Sequence, residues 1–407
     1  MPTRHKEKRA DHAYENFLYS ADTKVELPVK ISDQEHLEVY KTSEGPKWSC
    51  WTCLWFTPEG HIRVSFLDIT GGPVDLKPSY SYECAPPDVL DKYGIKRCQR
   101  WFESQDSGRT WRQVNEIDVS DPLKPRPDKF LLLNNNQLLG IGGVSSIWDY
   151  EKETSNFIGH AMAWVSSDNG WSWSTPVFLN NPDEITTAWC HPRQLRDGTI
   201  VVPAYGNFNK KNPSLERDAG EYFSDAWLWF TKDSGKTWSK PLLLARAIPT
   251  RTNDEPELVE LGNGDLLVIL RHSNYLTKGA DLYLNCGQII VKKSTSGWQP
   301  GPLRSTNMHF RGFPALLRTR EGILICAGSN NQFNFSIDEG HTWSDTCKIP
   351  DPEYNRHNHY PRLLELPDER ILSIYHMGNH WPYPPVDHMT GEPADEWIHA
   401  TSFRVHR

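Results

Sequence analysis

Short apolar runs alternate with turns rich in Gly, Asp and Asn along this chain, and one two-run unit returns repeatedly. Pro192-Arg-Gln-Leu195-Arg-Asp-Gly198 leads into Thr199-Ile-Val-Val-Pro-Ala-Tyr205, and Pro256-Glu-Leu258-Val-Glu-Leu-Gly-Asn-Gly264 leads into Asp265-Leu-Leu-Val-Ile-Leu-Arg271. Pro314-Ala-Leu316 runs to Gly322 and on through Ile323 to Gly328, and Pro361-Arg-Leu363 runs to Arg370 and on through Ile371 to Tyr375. Weaker members start near Cys53 (Leu54 to Gly60, then His61 to Leu67) and near Phe130 (Leu131 to Gln137, then Leu138 to Gly142). Each unit reads as two short strands joined by a tight turn.

A second motif falls between these hairpins. Ser104-Gln-Asp106-Ser-Gly108-Arg-Thr-Trp111 recurs as Ser166 to Trp173, Thr231 to Trp238 and Ser336 to Trp343, giving S/T-x-D-x-G-x-S/T-W. Ser294-Thr-Ser-Gly297-Trp298 is a worn fifth copy. The Asp accepts hydrogen bonds from the turn's own N–H groups. Gly takes the positive φ that a tight hairpin needs, and Trp lays a large ring beside it. The motif is a hairpin staple and carries no chemistry of its own.

Alternation of the two hairpin types predicts an all-β chain of about six four-stranded antiparallel units, which arranged radially make a six-bladed β-propeller. His36-Leu-Glu-Val-Tyr40 belongs to no unit, so it is expected to close the ring by completing the blade built from the C-terminal residues. Residues 1–20 read as an N-terminal extension and 21–407 as a single propeller domain. Pro73 to Ile95 and Pro382 to Glu396 read as insertions, a common place for function.

Composition narrows the partners. Of 407 residues, 37% are apolar and 24% charged, and the net charge is -8 without a basic stripe, so nucleic acid is not an expected partner. No run approaches the roughly 18 apolar residues of a membrane helix. Met1 to Asn16 is charged and lacks an apolar leader, which predicts a cytoplasmic protein whose eight Cys are reduced. Cys50-x-x-Cys53 has a redox or zinc spacing, but no second pair follows, and a strand among Trp48, Trp51 and Leu54 accounts for it. No metal or cofactor is expected. The 17 Trp suit blade packing and sugar stacking.

The four staples are similar to the Asp-boxes of the sialidase superfamily, and the resemblance runs from about Trp48 to Arg404. It implies a carbohydrate substrate bound in a central funnel. Glu255 with Arg271 resembles the family segment in which a Glu begins a strand and an Arg ends the hairpin. His359-Tyr360-Pro-Arg362 resembles the segment that supplies a nucleophilic Tyr. By that resemblance Tyr360 is the nucleophile, Glu255 its base and Arg271 a clamp for the substrate carboxylate. A neutral phenol avoids the repulsion that a carboxylate nucleophile would meet at a sugar bearing its own carboxylate.

Two family arginines have no counterpart, because Trp51-Thr-Cys-Leu54 and Asn330-Asn-Gln-Phe-Asn-Phe335 contain none. Arg311 and Arg362 are candidate substitutes, with His272 and His359 beside the site in sequence. Asp68 and Asp75 follow the first strand pair, where the general acid is expected. His191, before Pro192, is read as the blade equivalent of Glu255 and Tyr360, each of which also precedes a Pro.

Three functions fit these residues. The first is an exo-acting glycoside hydrolase taking a terminal, acidic sugar. The second is a uronate polysaccharide lyase using His191, Tyr205 or Tyr360, and Arg271 or Arg311. The third is a sugar-binding propeller without catalysis.

Overall fold

A computed structural model describes residues 28–41, 47–72, 85–121, 123–151, 154–181, 185–208, 224–248, 250–274, 283–309, 312–349, 357–378 and 396–407. Six antiparallel sheets of four main strands form a β-propeller. Blade 1 comprises Lys47–Phe56, Ile62–Gly71, Ile95–Ser104 and Arg112–Asp118; blade 2 comprises Arg126–Leu132, Leu138–Asp149, Thr154–Ser166 and Val177–Phe178. Blade 3 comprises Ile185–Trp189, Ile200–Phe208, Asp225–Thr231 and Leu242–Ala245, with Arg193–Gln194 continuing its first strand. Blade 4 comprises Thr252–Glu260, Leu266–Ser273, Tyr283–Ser294 and Gly297–Pro300, and blade 5 Ala315–Arg318, Leu324–Gly328, Gln332–Ser336 and Cys347–Lys348. Blade 6 is His357–Glu365, Ile371–Gly378 and Glu396–His406, completed on its outer edge by Lys30–Tyr40. The expected ring closure is therefore present, with Lys30 opposite His406 and Leu37 opposite Ala400.

Alternation along each strand gives every blade two apolar faces, and each face packs on a neighbour. Leu139, Ile141 and Ala163 of blade 2 meet Ile200, Val202 and Trp229 of blade 3. Leu266, Val268 and Leu270 turn to blade 3, while Leu267 and Ile269 turn to blade 5. Blades 5 and 6 join through Phe333, Phe335 and Phe403, and blades 6 and 1 through Ile374, Ile398, Val64 and Phe66. Trp55, Trp101, Phe130 and Leu138 fill the remaining seam, so the core is a closed ring of side-chain layers.

The S/T-x-D-x-G-x-S/T-W motifs turn the third strand of blades 1, 2, 3 and 5 into the fourth. Asp106 accepts from the Thr110 N–H (2.8 Å) and hydroxyl (2.6 Å), Ser104 accepts from the Gly108 N–H (2.8 Å), and the Trp111 indole donates to the Gly108 carbonyl (2.9 Å). Burial opposes the charge on Asp106, yet these bonds prevail and hold it at about 2. The residue before each Gly also takes a left-handed φ, 62° at Ser107 and 60° at Ser234, a strain not foreseen from the motif. The worn copy closes the same hairpin of blade 4, where Ser294 pairs with Gly297.

Part of the first insertion is folded. Pro87–Tyr93 is a short helix that ends at Gly94 (φ 64°), and it lays Val89 and Leu90 on Trp48, Ile69 and Ile95 at the top of blade 1. No described helix is long and apolar enough to cross a membrane. Cys50 and Cys53 are buried thiols on the first strand of blade 1.

Candidate active site

The first strand of each blade is innermost, and these strands touch one another across the axis. Thr52 of blade 1 donates to the Tyr360 carbonyl of blade 6 (3.2 Å), and Arg362 of blade 6 reaches Glu257 of blade 4 (3.0 Å). One-residue bulges interrupt first strands between Cys50 and Cys53, Pro127 and Lys129, Asp254 and Glu257, and His359 and Arg362. In blades 1, 4 and 6 one residue of the bulge is left-handed: Trp51 (φ 57°), Glu255 (φ 48°) and Tyr360 (φ 50°). Bulges re-aim side chains, and bulky residues at positive φ are held there only by surrounding structure.

The phenol of Tyr360 donates to Glu255 Oε1 at 3.4 Å. The Tyr360 ring is 4.7 Å from Trp51, 5.2 Å from Phe313 and 5.5 Å from His376. Tyr205 and Cys190 belong to the same cluster. The Arg271 guanidinium grips Glu255 Oε2, with its remaining nitrogens on Ser273 Oγ (2.7 Å) and 3.6 Å from Asp254. Burial pushes the Glu255 carboxyl above its ordinary value, against the pull of Arg271, and Asp254 is raised for the same reason.

Counting back from the hairpin turns gives the blade equivalences. Leu261, Leu366 and Leu195 each donate to the residue four further on and mark one turn position. Glu255 and Tyr360 lie six residues before it, level with Trp51, Phe313 and Trp189. His191 lies four before, level with Cys53, Lys129, Glu257, Ala315 and Arg362. The assignment of His191 to the Glu255 level is thus corrected: Pro192 stands two positions nearer its turn than Pro256 and Pro361 do, and the equivalent of Glu255 in blade 3 is Trp189. His191 is buried one layer deeper, where burial and the charges of Arg362, Lys129 and Arg193 hold its imidazole neutral, well below the ordinary range.

That deeper layer contains a carboxylate that the sequence reading missed. Glu257, fully buried, accepts from Arg193 (3.1 and 3.2 Å) and Arg362 (3.0 Å). Its signal was its place two residues after Glu255 on the same strand. Arg362 is therefore engaged with Glu257 and stacked 5.3 Å from the Phe313 ring, below the aromatic layer, where a substrate clamp was expected.

Other candidates are dispersed. Asp68 accepts from Ser49 (2.7 Å) and Tyr40 (3.0 Å) and is paired with Arg100 (2.6 Å), which ties blade 1 to the closing strand. His272 points away from Arg271, into a cavity on the blade 3 side of blade 4. His359 pairs with His376 across the ladder. Asp75 and Arg311 lie outside the described residues. Among the described residues no group of three or more His, Cys, Asp or Glu could hold a metal ion.

No sequence-family profile matches the chain, nor does any curated protein sequence. Solved structures do. A protein of unknown function from Dyadobacter fermentans is 14% identical with a TM-score of 0.64, covering 93% of this chain and all of that one. An α-L-arabinanase of Penicillium chrysogenum, solved with arabinobiose, is 13% identical with a TM-score of 0.55 over 90% and 97% of the two chains. A leech intramolecular trans-sialidase is 11% identical with a TM-score of 0.57, over 91% of this chain and 70% of its own. With six radial four-stranded blades, the chain shares the six-bladed β-propeller fold of these neighbours.

Proposed function

We propose that this protein is an exo-acting glycoside hydrolase that cleaves a terminal sugar at the floor of the central funnel. The observation that carries the reading is the Tyr360 phenol 3.4 Å from Glu255, both presented by left-handed bulges in an aromatic ring of side chains. The phenol oxygen attacks the anomeric carbon as the glycosidic bond breaks, Glu255 takes the phenol proton, and a general acid gives a proton to the departing aglycone oxygen. Water then attacks the anomeric carbon, giving its proton to the conjugate base of that general acid, and Glu255 returns its proton to the released phenolate. A phenol nucleophile suits an acidic sugar with its carboxylate on the anomeric carbon.

One observation favours a second substrate class. Arg271 and Arg362 are both bound to carboxylates of the protein itself. A neutral terminal sugar needs no arginine clamp, and for it the Glu255 carboxylate is the attacking group while Tyr360 holds it. Aryl sialosides and aryl arabinofuranosides, tested side by side, separate the two. Mass spectrometry of a trapped intermediate then places the sugar on the Tyr360 or the Glu255 peptide. Silence on every aryl glycoside would overturn the hydrolase.

Two outcomes follow. Glu255 must be ionised to act in either reading, and its carboxyl is raised by burial. The acid limb of kcat/KM is therefore expected above the ordinary glutamate range, with activity lost as pH falls through the raised value; a limb at or below that range removes Glu255 from the limiting step. Asp75 is one acid candidate. Asp75→Ala is expected to cut turnover of alkyl glycosides on the order of 10²-fold and to spare aryl glycosides whose leaving groups need no proton. Equal losses on both would exclude it.

A further inference from the structure

Blade 4 carries a cavity apart from the funnel. It measures about 490 Å³ and is lined by Arg251, His272, Leu284, Asn285, Leu303, Ser305 and His309. Leu303 belongs to the core between blades 3 and 4, so the cavity opens on that seam at the outer side of the blade. Its walls hold charge and hydrogen-bonding capacity that the protein does not use. The buried Arg251 Nε has no partner, and burial is the sole influence on its guanidinium, with no carboxylate acting on it among the described residues. The buried His272 Nε2 also has no partner, while the Asn285 backbone satisfies the rest of the ring.

The backbone makes room for this histidine. A Cβ at Gly287 would lie 2.3 Å from His272 Cε1 and 2.4 Å from Nε2, so glycine is required there by the imidazole. Buried cationic and imidazole groups without protein acceptors are costly unless something else satisfies them. Arg251 offers a planar fork of donors, the geometry that takes carboxylate and phosphate oxygens in pairs.

We propose that this cavity is a binding site for a small oxyanion group, held by Arg251 with His272 and Ser305 beside it. The group is a phosphate or the carboxylate of a sugar acid. Burial, and after it the Arg251 charge, hold His272 at about 4, and an anion beside both offsets the Arg251 charge.

The test is calorimetric titration of the full chain with inorganic phosphate, sulfate and glucuronate at pH 7 and low ionic strength. Saturable binding of at least one anion is expected, weakened tenfold or more by Arg251→Ala with the melting curve retained. Phosphate and sulfate binding without glucuronate identifies a phosphate-type group; glucuronate binding ahead of both identifies a sugar acid. Gly287→Ala, which displaces the His272 ring, is expected to weaken the same titration. No saturable binding of any of the three at tens of millimolar, or equal affinity in Arg251→Ala, overturns the site.

Discussion

Tyr360→Phe is expected to lower turnover on the order of 10³-fold or more while leaving the melting temperature close to that of the parent. The fold should survive because Phe keeps what holds the ring: the contacts with Trp51 and Phe313 and the Thr52 bond to its backbone carbonyl. Only the phenol oxygen at Glu255 is lost. Steady-state kinetics on the best aryl glycoside, with a thermal melt of the same preparation, decide the matter. Activity within threefold of the parent would take Tyr360 out of the reaction. A loss of only 10- to 100-fold, with Glu255→Gln inactive, is the pattern of the neutral-sugar reading, where the carboxylate attacks.

Glu257→Ala has the largest expected effect on stability. Glu257 is fully buried and holds two arginines, one of which, Arg362, is itself buried. Removing one partner from a buried ion pair costs about 3–5 kcal/mol, because the charges left behind are uncompensated. Chemical denaturation should show this loss, with Glu257→Gln intermediate since it still accepts hydrogen bonds. A loss below about 1 kcal/mol would mean that Arg193 and Arg362 find other acceptors in the channel, and Glu257 would then be no keystone of the axis.

The propeller was legible because its signals are local. A staple such as Thr231 to Trp238 satisfies its own backbone within eight residues, so its meaning survives in the sequence. The unassigned strand at His36 could be placed because one blade lacked a member. Side-chain roles were less legible where partners come from other blades. Arg362 looks like a clamp until Glu257 is found across the axis, and the Tyr40 and Arg100 partners of Asp68 show only in the fold. His191 misled for a different reason. Its Pro mimics the Glu255-Pro and Tyr360-Pro pairs, whereas the reliable ruler is distance from the hairpin turn. That ruler, applied to the sequence, also finds Trp51 and Phe313, which pack on the Tyr360 ring, and Trp189, whose indole donates to Asp128 instead.

The closing strand bears on the order in which the molecule can form. Lys30 pairs with His406 and Tyr40 with Ile398, so the earliest described strand waits for the latest. During synthesis the seams between blades 1 and 5 can form one after another as the chain emerges. Residues 30–40, though, must stay unpaired on the edge until 396–406 have left the ribosome. The contacts of this strand are gained only when the last seam sets. Assembly of the ring is thus a late, concerted step, and a nascent chain stalled before residue 396 would expose two blade faces at once, a natural target for chaperones and proteases.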